Sequence, residues 1–427
     1  MKRFFLSFVL FSTIIASAQN SVNDTIVLTR VDAETIFLQS NLSLLAEKLN
    51  IDIAEAQVIQ AKVWPNPTLS VSEVNLWSNS TSEELPVLWG NYGRNQEIGL
   101  SLEQLVYTAG KRKKLIAIEK VGAQMAAQYY KEILRSLKTE FRNNLTALQF
   151  NQQQKSVYEK QLLSVRKLIN AYASQVKKGN ISQAEYVRLK ASELEFLNEL
   201  NELNTEGNAL QKEMKILMNL PAKSYIKLEN EGFVPNLNPL DELNLADIIN
   251  EAENNRPDLQ FAKLAQQYSD NKYAYEKALR TPDITLQASY DRGGNIMNNF
   301  FGVGFAIDLP FFNRNQGNIK AAKYAIEKSI LIKEQTFKSA QAEIVQAYGN
   351  FTNARQLYES IDTGYDKDLD MILESHLKNF SDRNISLLVY LDYVEAYIKN
   401  KEIILTSKKQ LNERLEELRY ASGQELN

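Results

Sequence analysis

Few side chains in this sequence could carry out chemistry. The 427 residues include one histidine, His376, and no cysteine. Thiolate metal ligands are therefore absent, and only His376 could belong to a Ser-His-Asp set. Met214 and Met218 lie one helical turn apart, but methionines at this spacing are usually packed in a core. His376 falls in a predicted helix, where a surface position explains it. No phosphate-binding glycine loop is found either. We therefore expect that the protein has no catalytic residue, no cofactor and no metal site, and that it is not an enzyme.

Two carboxylates, Glu103 and Asp308, have a regular setting. Apolar residues alternate with small or polar ones in segments 97–103 and 301–309, and both carboxylates fall on the small or polar side. Alternating segments of about ten residues fit an outer-membrane barrel with a water-filled interior. There Glu103 and Asp308 would form acidic rings that favour cations. A simpler alternative is that both are solvated charges at strand ends.

The elements that would position these residues follow a secretory signal. Residues 1–18 combine Lys2 and Arg3 with an apolar core and Ala16-Ser17-Ala18. No later apolar run is long enough for a transmembrane helix, so any membrane-crossing part must consist of strands. The 49 basic and 52 acidic residues nearly balance, which gives no basic field for nucleic acid.

Long helices make the predicted fold mainly α. Residues 111–178 contain no proline and one glycine, so a continuous helix would measure about 100 Å. A second proline-free stretch, 311–383, is expected to be a long helix as well. Shorter helices are predicted at 31–63, 183–220, 247–255, 257–279 and from about 387 to 420. The loops inside the two strand pairs contain Trp77, Trp89 and Tyr92, and Gly293-Gly294-Asn295.

The same unit of strands and helices occurs twice. We expect a first repeat at 19–220, a linker at 221–256 that holds three of the nine prolines, and a second repeat at 257–427. Four strands cannot close a membrane barrel without unpaired edges. Several copies of the chain must therefore share one barrel; a trimer gives twelve strands, and closure alone also permits a dimer.

The chain resembles the TolC-type outer membrane efflux proteins over its mature length. This resemblance implies long antiparallel helices that form an α-barrel in the periplasm, and four strands contributed to a shared trimeric β-barrel in outer membrane lipid. It also implies a homotrimer that works with a periplasmic adaptor protein and an inner-membrane pump of the resistance-nodulation-division (RND) class. The residues that carry it are Trp64-Pro65-Asn66-Pro67-Thr68-Leu69-Ser70, Arg256-Pro257-Asp258-Leu259, the two strand-to-helix joints and the two turns near 180 and 384.

Within that family, the second joint is similar to the CzcC-like branch, which serves heavy-metal exporters. Its sequence is Asp308-Leu309-Pro310-Phe311-Phe312-Asn313-Arg314-Asn315-Gln316-Gly317-Asn318-Ile319. The absence of a lipidated cysteine after the signal agrees with that branch. The resemblance thus implies export of heavy-metal cations.

Two turns mark the predicted periplasmic tip of the helices, and each is followed by a helix start. By resemblance, the helices after them line the entrance of TolC-like channels, which makes Glu185, Arg188 and Asp392 candidate gate residues. Val389 replaces a second acidic position of the family. A solvated helix face would explain the three charges equally well. The turns consist of Asn180, Ile181 and Ser182, and of Asn384, Ile385 and Ser386.

Other functions stay open at this point. A channel for drugs or organic solutes, or the outer membrane duct of a type I secretion system, would have the same architecture. A periplasmic coiled-coil scaffold would explain the helices, but it would need no lipid-compatible strands.

Overall fold

The computed structural model describes residues 25–72, 98–292 and 299–426. The predicted signal sequence 1–18 and both predicted inter-strand loops, with Trp77 to Tyr92 and with Gly293-Gly294-Asn295, lie outside the described residues. The chain divides into two compact units. Unit 1 comprises Met1–Asn41, Asn144–Phe233 and Met371–Leu405, and unit 2 comprises Leu42–Asn143, Val234–Asp370 and Thr406–Asn427.

The described part of the chain is mainly helical, which confirms the predicted fold class. A short 3-10 helix, Asn238–Leu240, lies in the proline-rich segment. The α-helices are α1 Arg30–Ser40, α2 Leu42–Lys62, α3 Lys111–Lys177, α4 Gln183–Leu217, α5 Leu245–Asn255, α6 Pro257–Leu279, α7 Gln316–Glu359, α8 Tyr365–Ser381 and α9 Leu387–Ser422.

The strands are shorter and fewer. Within the described residues they form one two-stranded and one four-stranded sheet. Their bounds are β1 Thr25–Leu28, β2 Thr68–Ser72, β3 Ile98–Val106, β4 Tyr225–Leu228, β5 Ile284–Arg292 and β6 Phe300–Ile307.

Two predicted helices are wrong in their continuity. The expected helix 31–63 breaks at Asn41, which has extended backbone angles and whose buried side-chain amide donates to the Leu217 carbonyl at 2.8 Å. The expected long helix 311–383 is two helices, separated at residues 360–364. There Gly364 has a φ of 105°, and the Ser360 hydroxyl donates to the Leu357 carbonyl at 2.7 Å. Small polar residues that bond back to the chain, followed by glycine, end a helix as well as proline does.

In contrast, α3 is one uninterrupted helix of 67 residues, as the sequence predicts. Its only glycine, Gly122, faces open space where the Cβ of an alanine would lie, so the helix contains this glycine without a packing role for it.

Unit 1 contains a small parallel sheet that the sequence did not reveal. β1 pairs with β4 from Thr25 opposite Tyr225 onward. The buried Gln211 side chain accepts from the Ile226 amide at 2.9 Å and donates to its carbonyl at 2.6 Å, so it replaces a neighbouring strand. Met214 and Met218 are fully buried here, which makes them core residues.

Unit 2 contains the four-stranded sheet, in the order β2-β3-β5-β6 with all neighbours antiparallel. Its helical core is formed by α5, α7 and α9, with Ile344, Phe351, Leu411 and Leu415 among the buried residues. The two predicted strand pairs thus lie side by side in one sheet.

Candidate functional site

The four-stranded sheet has one apolar and one polar face. Residues paired across neighbouring strands share a face. One row consists of Thr68, Glu103, Gln287 and Gly304, and the next consists of apolar residues such as Leu102 and Ala288. The small or polar face therefore continues across all four strands, as the alternation in 97–103 and 301–309 predicts for its described positions.

The apolar face of this sheet is exposed in the single chain. Val303 is 93% exposed in the middle of β6, and Phe301 and Phe305 on either side of it are exposed as well. Leu69 on β2 and Leu286 on β5 extend the surface across the sheet. Monomeric soluble proteins rarely leave an apolar surface of this extent uncovered, so it requires a lipid or protein partner.

Of the two predicted lumen carboxylates, Glu103 lies on the polar face of the sheet, whereas Asp308 lies beyond the end of β6. Glu103 accepts a hydrogen bond from the Gln287 amide at 3.1 Å, in the row that ends at Gly304. Asp308 is exposed and follows β6 directly, four residues beyond Gly304. At about 3.4 Å per residue, four residues of extended chain correspond to about 14 Å along the strand direction.

A buried ion pair ties the first strand-to-helix joint to the residue that precedes β5. Lys111, at the start of α3, lies 2.7 Å from the Asp283 carboxylate, and the Lys111 side chain is almost fully buried. The same carboxylate accepts from the Thr108 amide at 2.8 Å, while the Thr108 hydroxyl donates to the Pro282 carbonyl at 2.6 Å. The joint sequence alone gave no sign of this pairing, because Asp283 comes from a distant segment.

The second joint uses its asparagines to shape the backbone. Asn315 has a φ of 57° and precedes α7, and its side chain donates to the Glu276 carbonyl and carboxylate at 2.9 and 2.7 Å. Asn313 accepts from the Asn315 amide at 3.0 Å. Ala109 and Gly110 have the same left-handed conformation in the first joint. The motif that resembles the CzcC-like branch therefore has a structural role at this joint.

The two predicted tip turns share one backbone design. In each, the amide three residues after the helix end bonds back five residues, from Asn180 to Gln175 at 3.0 Å and from Asn384 to Asn379 at 2.9 Å. The residue before each asparagine is left-handed: Gly179 in the first turn and Arg383 in the second.

The residues that follow each asparagine lead into the next helix. Ser182 caps α4 by accepting from the Ala184 amide at 3.1 Å, and the Ser386 hydroxyl accepts from the Val389 amide at 3.4 Å before α9. Ile181 and Ile385 are half-buried between the turn and the helix start.

The three predicted gate residues are all exposed on helices that begin at these turns. Glu185 lies in the first turn of α4, Arg188 one turn further, and Asp392 near the start of α9. In the described residues none of the three forms an ion pair. By contrast, Glu193 bonds to Lys190 at 2.8 Å and to Arg166 at 2.9 Å, and these bonds hold the pKa of the Glu193 carboxyl below its usual value.

Aromatic side chains pack the two tip hairpins against each other. Phe380 of α8 stacks on Tyr172 of α3 at 6.0 Å and on Tyr390 of α9 at 5.1 Å. Tyr390 is buried, and burial raises the pKa of its hydroxyl to about 12. His376 stacks on Tyr393 at 4.1 Å. These ring contacts pack the two hairpins against each other within unit 1.

Residues 25–72, 98–292 and 299–426 contain no group of three or more His, Asp or Glu side chains placed to hold a metal ion. Across the same ranges, no helix is both long enough and apolar enough to cross a bilayer.

Comparison with known proteins adds a family and a fold. The model of the outer membrane efflux protein family matches residues 36–217 and 248–362. No curated protein matches the sequence significantly. Solved structures with the same fold include CusC, in a study of folding and transmembrane channel formation, at 18% identity and a TM-score of 0.70, with 96% of both chains covered.

Two further solved outer membrane channels have a similar fold. The open state of the MtrE outer membrane channel from Neisseria gonorrhoeae has 16% identity and a TM-score of 0.67, and covers 92% of this chain and 89% of its own. The CmeC outer membrane channel from Campylobacter jejuni has 16% identity and a TM-score of 0.71, with 92% and 84% covered. At these identities the similarity establishes a shared fold.

Proposed function

Since this chain belongs to the outer membrane efflux protein family, we propose that it is the outer membrane channel of a tripartite efflux system that exports heavy-metal cations. Members of the family are channel proteins and not enzymes. In the proposed assembly the chain is a homotrimer, with its sheet in the outer membrane and its helices in the periplasm. A periplasmic adaptor protein and an inner-membrane RND pump would deliver the cargo to the tip.

The observation that carries this proposal is the two-faced sheet. Its apolar face, centred on Val303 and Phe305, is exposed, while its other face is made of small and polar residues such as Gly304 and Ser289. A sheet with one face in lipid and one in water has this composition. A soluble sheet would instead place its apolar face against a core.

Assembly of several copies of the chain is supported by two surfaces. Within the described residues, β2 and β6 are edge strands, and exposed edges are not stable in lipid. In addition, the apolar stripe of α2 at Leu45, Leu49 and Ile53 is exposed in the single chain. Neighbouring copies of the chain would cover both surfaces.

The heavy-metal cargo is supported by the second joint and by the polar face. The joint sequence 308–319 resembles the CzcC-like branch, and Glu103 and Asp308 give the proposed water-filled side negative charge. A conduit should hold its cargo weakly, because tight sites stop flow. Selection would then reside in the pump and the adaptor.

The membrane and oligomer claims are tested by extraction and electrophoresis of the full chain. We expect release from membranes only by detergent, migration as a trimer that dissociates on heating, and stepwise conductance in planar bilayers. A periplasmic scaffold would be released as a soluble species and would give no conductance, and that result would reject the channel.

The cargo is tested separately in cells that lack the protein. We expect such cells to become sensitive to divalent heavy-metal cations and to regain resistance when the chain is restored. Sensitivity to dyes and detergents alone would favour drug efflux, and a defect in protein export would favour a type I secretion duct.

A gate at the tip is the last part of the proposal. Glu185 and Asp392 are exposed near the starts of α4 and α9, in the unit where the aromatic stack holds both hairpins. The double variant Glu185→Gln, Asp392→Asn should raise resting conductance. Glu195→Gln with Glu395→Gln is the matched control, because both are exposed on the same helices. If resting conductance is unchanged in the first variant, neither residue belongs to the gate.

A further inference from the structure

All four connections between the sheet and the helices lie at one end of the sheet. β3 ends at Val106 opposite Ile284, the first residue of β5, and Ile284 also lies opposite Ile307, the last residue of β6. β2 begins at Thr68, opposite Glu103 near the same end of β3. We name the segments at this end the collar: residues 60–66, 107–115, 277–284 and 308–320.

The collar concentrates positive charge in a chain that is slightly acidic. Its segments contain nine Lys or Arg and two Asp, whereas the whole chain has a formal net charge of −3. One of the two carboxylates, Asp283, is already paired with buried Lys111 at 2.7 Å. In the described part of the chain, no carboxylate pairs with the exposed cations Lys62, Lys113, Arg280 and Arg314.

Exposed aromatic side chains accompany these cations. Phe312 is 95% exposed, and Phe311 and Trp64 also have most or half of their surface in solvent. The Arg112 guanidinium lies 4.7 Å from the centre of the Trp64 ring and donates to the Lys62 carbonyl, which holds Trp64 in place. Aromatic rings beside cations are typical of the boundary between a bilayer's hydrocarbon and its headgroups.

We propose that the collar binds the headgroups of anionic phospholipids in the leaflet nearest the helices. This inference rests on the proposed function, because it requires the apolar face of the sheet to lie in a bilayer. That face continues through Ile307 and exposed Leu309 into the collar, so acyl chains on the face place their headgroups beside its cations. Unpaired Lys and Arg attract lipid phosphodiesters. The exposed aromatic rings fit the bilayer interface, and a site for a small free anion would not need such rings.

The test measures lipid retention by the full trimer. The purified protein is transferred from vesicles of equal parts phosphatidylglycerol and phosphatidylethanolamine into detergent, and the retained lipids are counted by native mass spectrometry. We expect phosphatidylglycerol to exceed phosphatidylethanolamine by about tenfold or more, and the excess to shrink as salt rises. The variant that carries Lys62→Gln, Lys113→Gln, Arg280→Gln and Arg314→Gln should retain both lipids nearly equally.

A matched control removes the same charge elsewhere. Lys160, Lys167, Lys177 and Lys399 are exposed in unit 1, and their replacement by Gln should leave the phosphatidylglycerol excess intact. Equal loss in both variants would reduce the effect to net charge and overturn the inference. Displacement of the lipid by millimolar inorganic phosphate would also overturn it, since the site would then be a simple anion site.

The outcomes separate this inference from the channel itself. A heat-sensitive, detergent-requiring trimer with no preference between the two lipids overturns the collar's role and leaves the channel in place. A soluble species that binds neither lipid overturns both.

Discussion

A lysine in place of Val303 tests the two faces of the sheet. Val303 is the fourth of eight residues in β6, so it lies near mid-strand on the exposed apolar face. Gly304 is its neighbour on the opposite face, and a side chain added there meets nothing closer than the Gln287 carboxamide oxygen at 3.8 Å. Val303→Lys and Gly304→Lys therefore place the same charge at the same depth on different faces.

The expected magnitudes differ by several kcal/mol. A lysine facing lipid near the bilayer midplane costs about 2–4 kcal/mol, and three copies in a trimer would together cost about 6–12 kcal/mol. On the polar face the lysine stays in water, and we expect a change below about 1 kcal/mol.

The assay is urea-induced unfolding of the chain after it is refolded into lipid vesicles. Unfolding is monitored by the gel mobility of the heat-sensitive oligomer. Val303→Lys should shift the midpoint strongly or abolish insertion, whereas Gly304→Lys should behave like the unaltered chain. If the two variants lose stability equally, or if Val303→Lys costs less than about 0.5 kcal/mol, the assignment of the faces is refuted.

Three further predictions concern unit 2. Arg256 is buried and donates to Asp258, Glu343 and Ala421 at 2.7–3.1 Å. Arg256→Ala should therefore cost about 3–5 kcal/mol of unfolding free energy in denaturant. As a control, Lys338→Ala removes one partner of an exposed ion pair elsewhere and should cost less than about 0.5 kcal/mol. Gly423→Ala should lower the unfolding midpoint, because the new Cβ would lie 3.1 Å from the Arg256 backbone at a φ of 71°, whereas Gly122→Ala should stabilise by up to about 1 kcal/mol. Burial opposes ionisation of Glu425, yet Lys138 and Arg142 hold the pKa of its carboxyl below the usual value. This ion pairing should therefore stabilise the C-terminal segment above about pH 4 and be lost on further acidification. Amide hydrogen exchange of residues 423–426 would report the loss, and unchanged exchange would contradict it.

Local sequence determined much of the fold. The absence of proline and the single glycine predict α3, because nothing in that stretch competes with the helix. Strict alternation predicts which residues of β3 and β6 share a face, since a strand has a period of two. In both cases one short-range rule acts without opposition from distant residues.

Distant contacts explain what the sequence missed. The break at Asn41 depends on the Leu217 carbonyl, and β4 depends on Gln211, so neither has a local signal. The joint pair of Lys111 and Asp283 is likewise set by strand register. The break at residues 360–364 was different: Gly364 marked it locally, but the absence of proline outweighed that signal.

The two turns were predictable from the sequence, whereas the packing between the hairpins was not. The turns at 180 and 384 follow from their capping residues, and Glu185 and Asp392 lie on the helices that begin there. Phe380, which joins the two hairpins, stands out only once α3, α8 and α9 are packed.

The central claim is that the sheet separates lipid from water, and spin-label accessibility along β6 tests it most directly. Because the chain has no cysteine, single cysteines at residues 301, 303, 304, 305 and 306 carry the label specifically. In lipid vesicles we predict high accessibility to oxygen at 301, 303 and 305, and high accessibility to a water-soluble reagent at 304 and 306. Uniform access to the water-soluble reagent at all five positions would contradict a membrane channel.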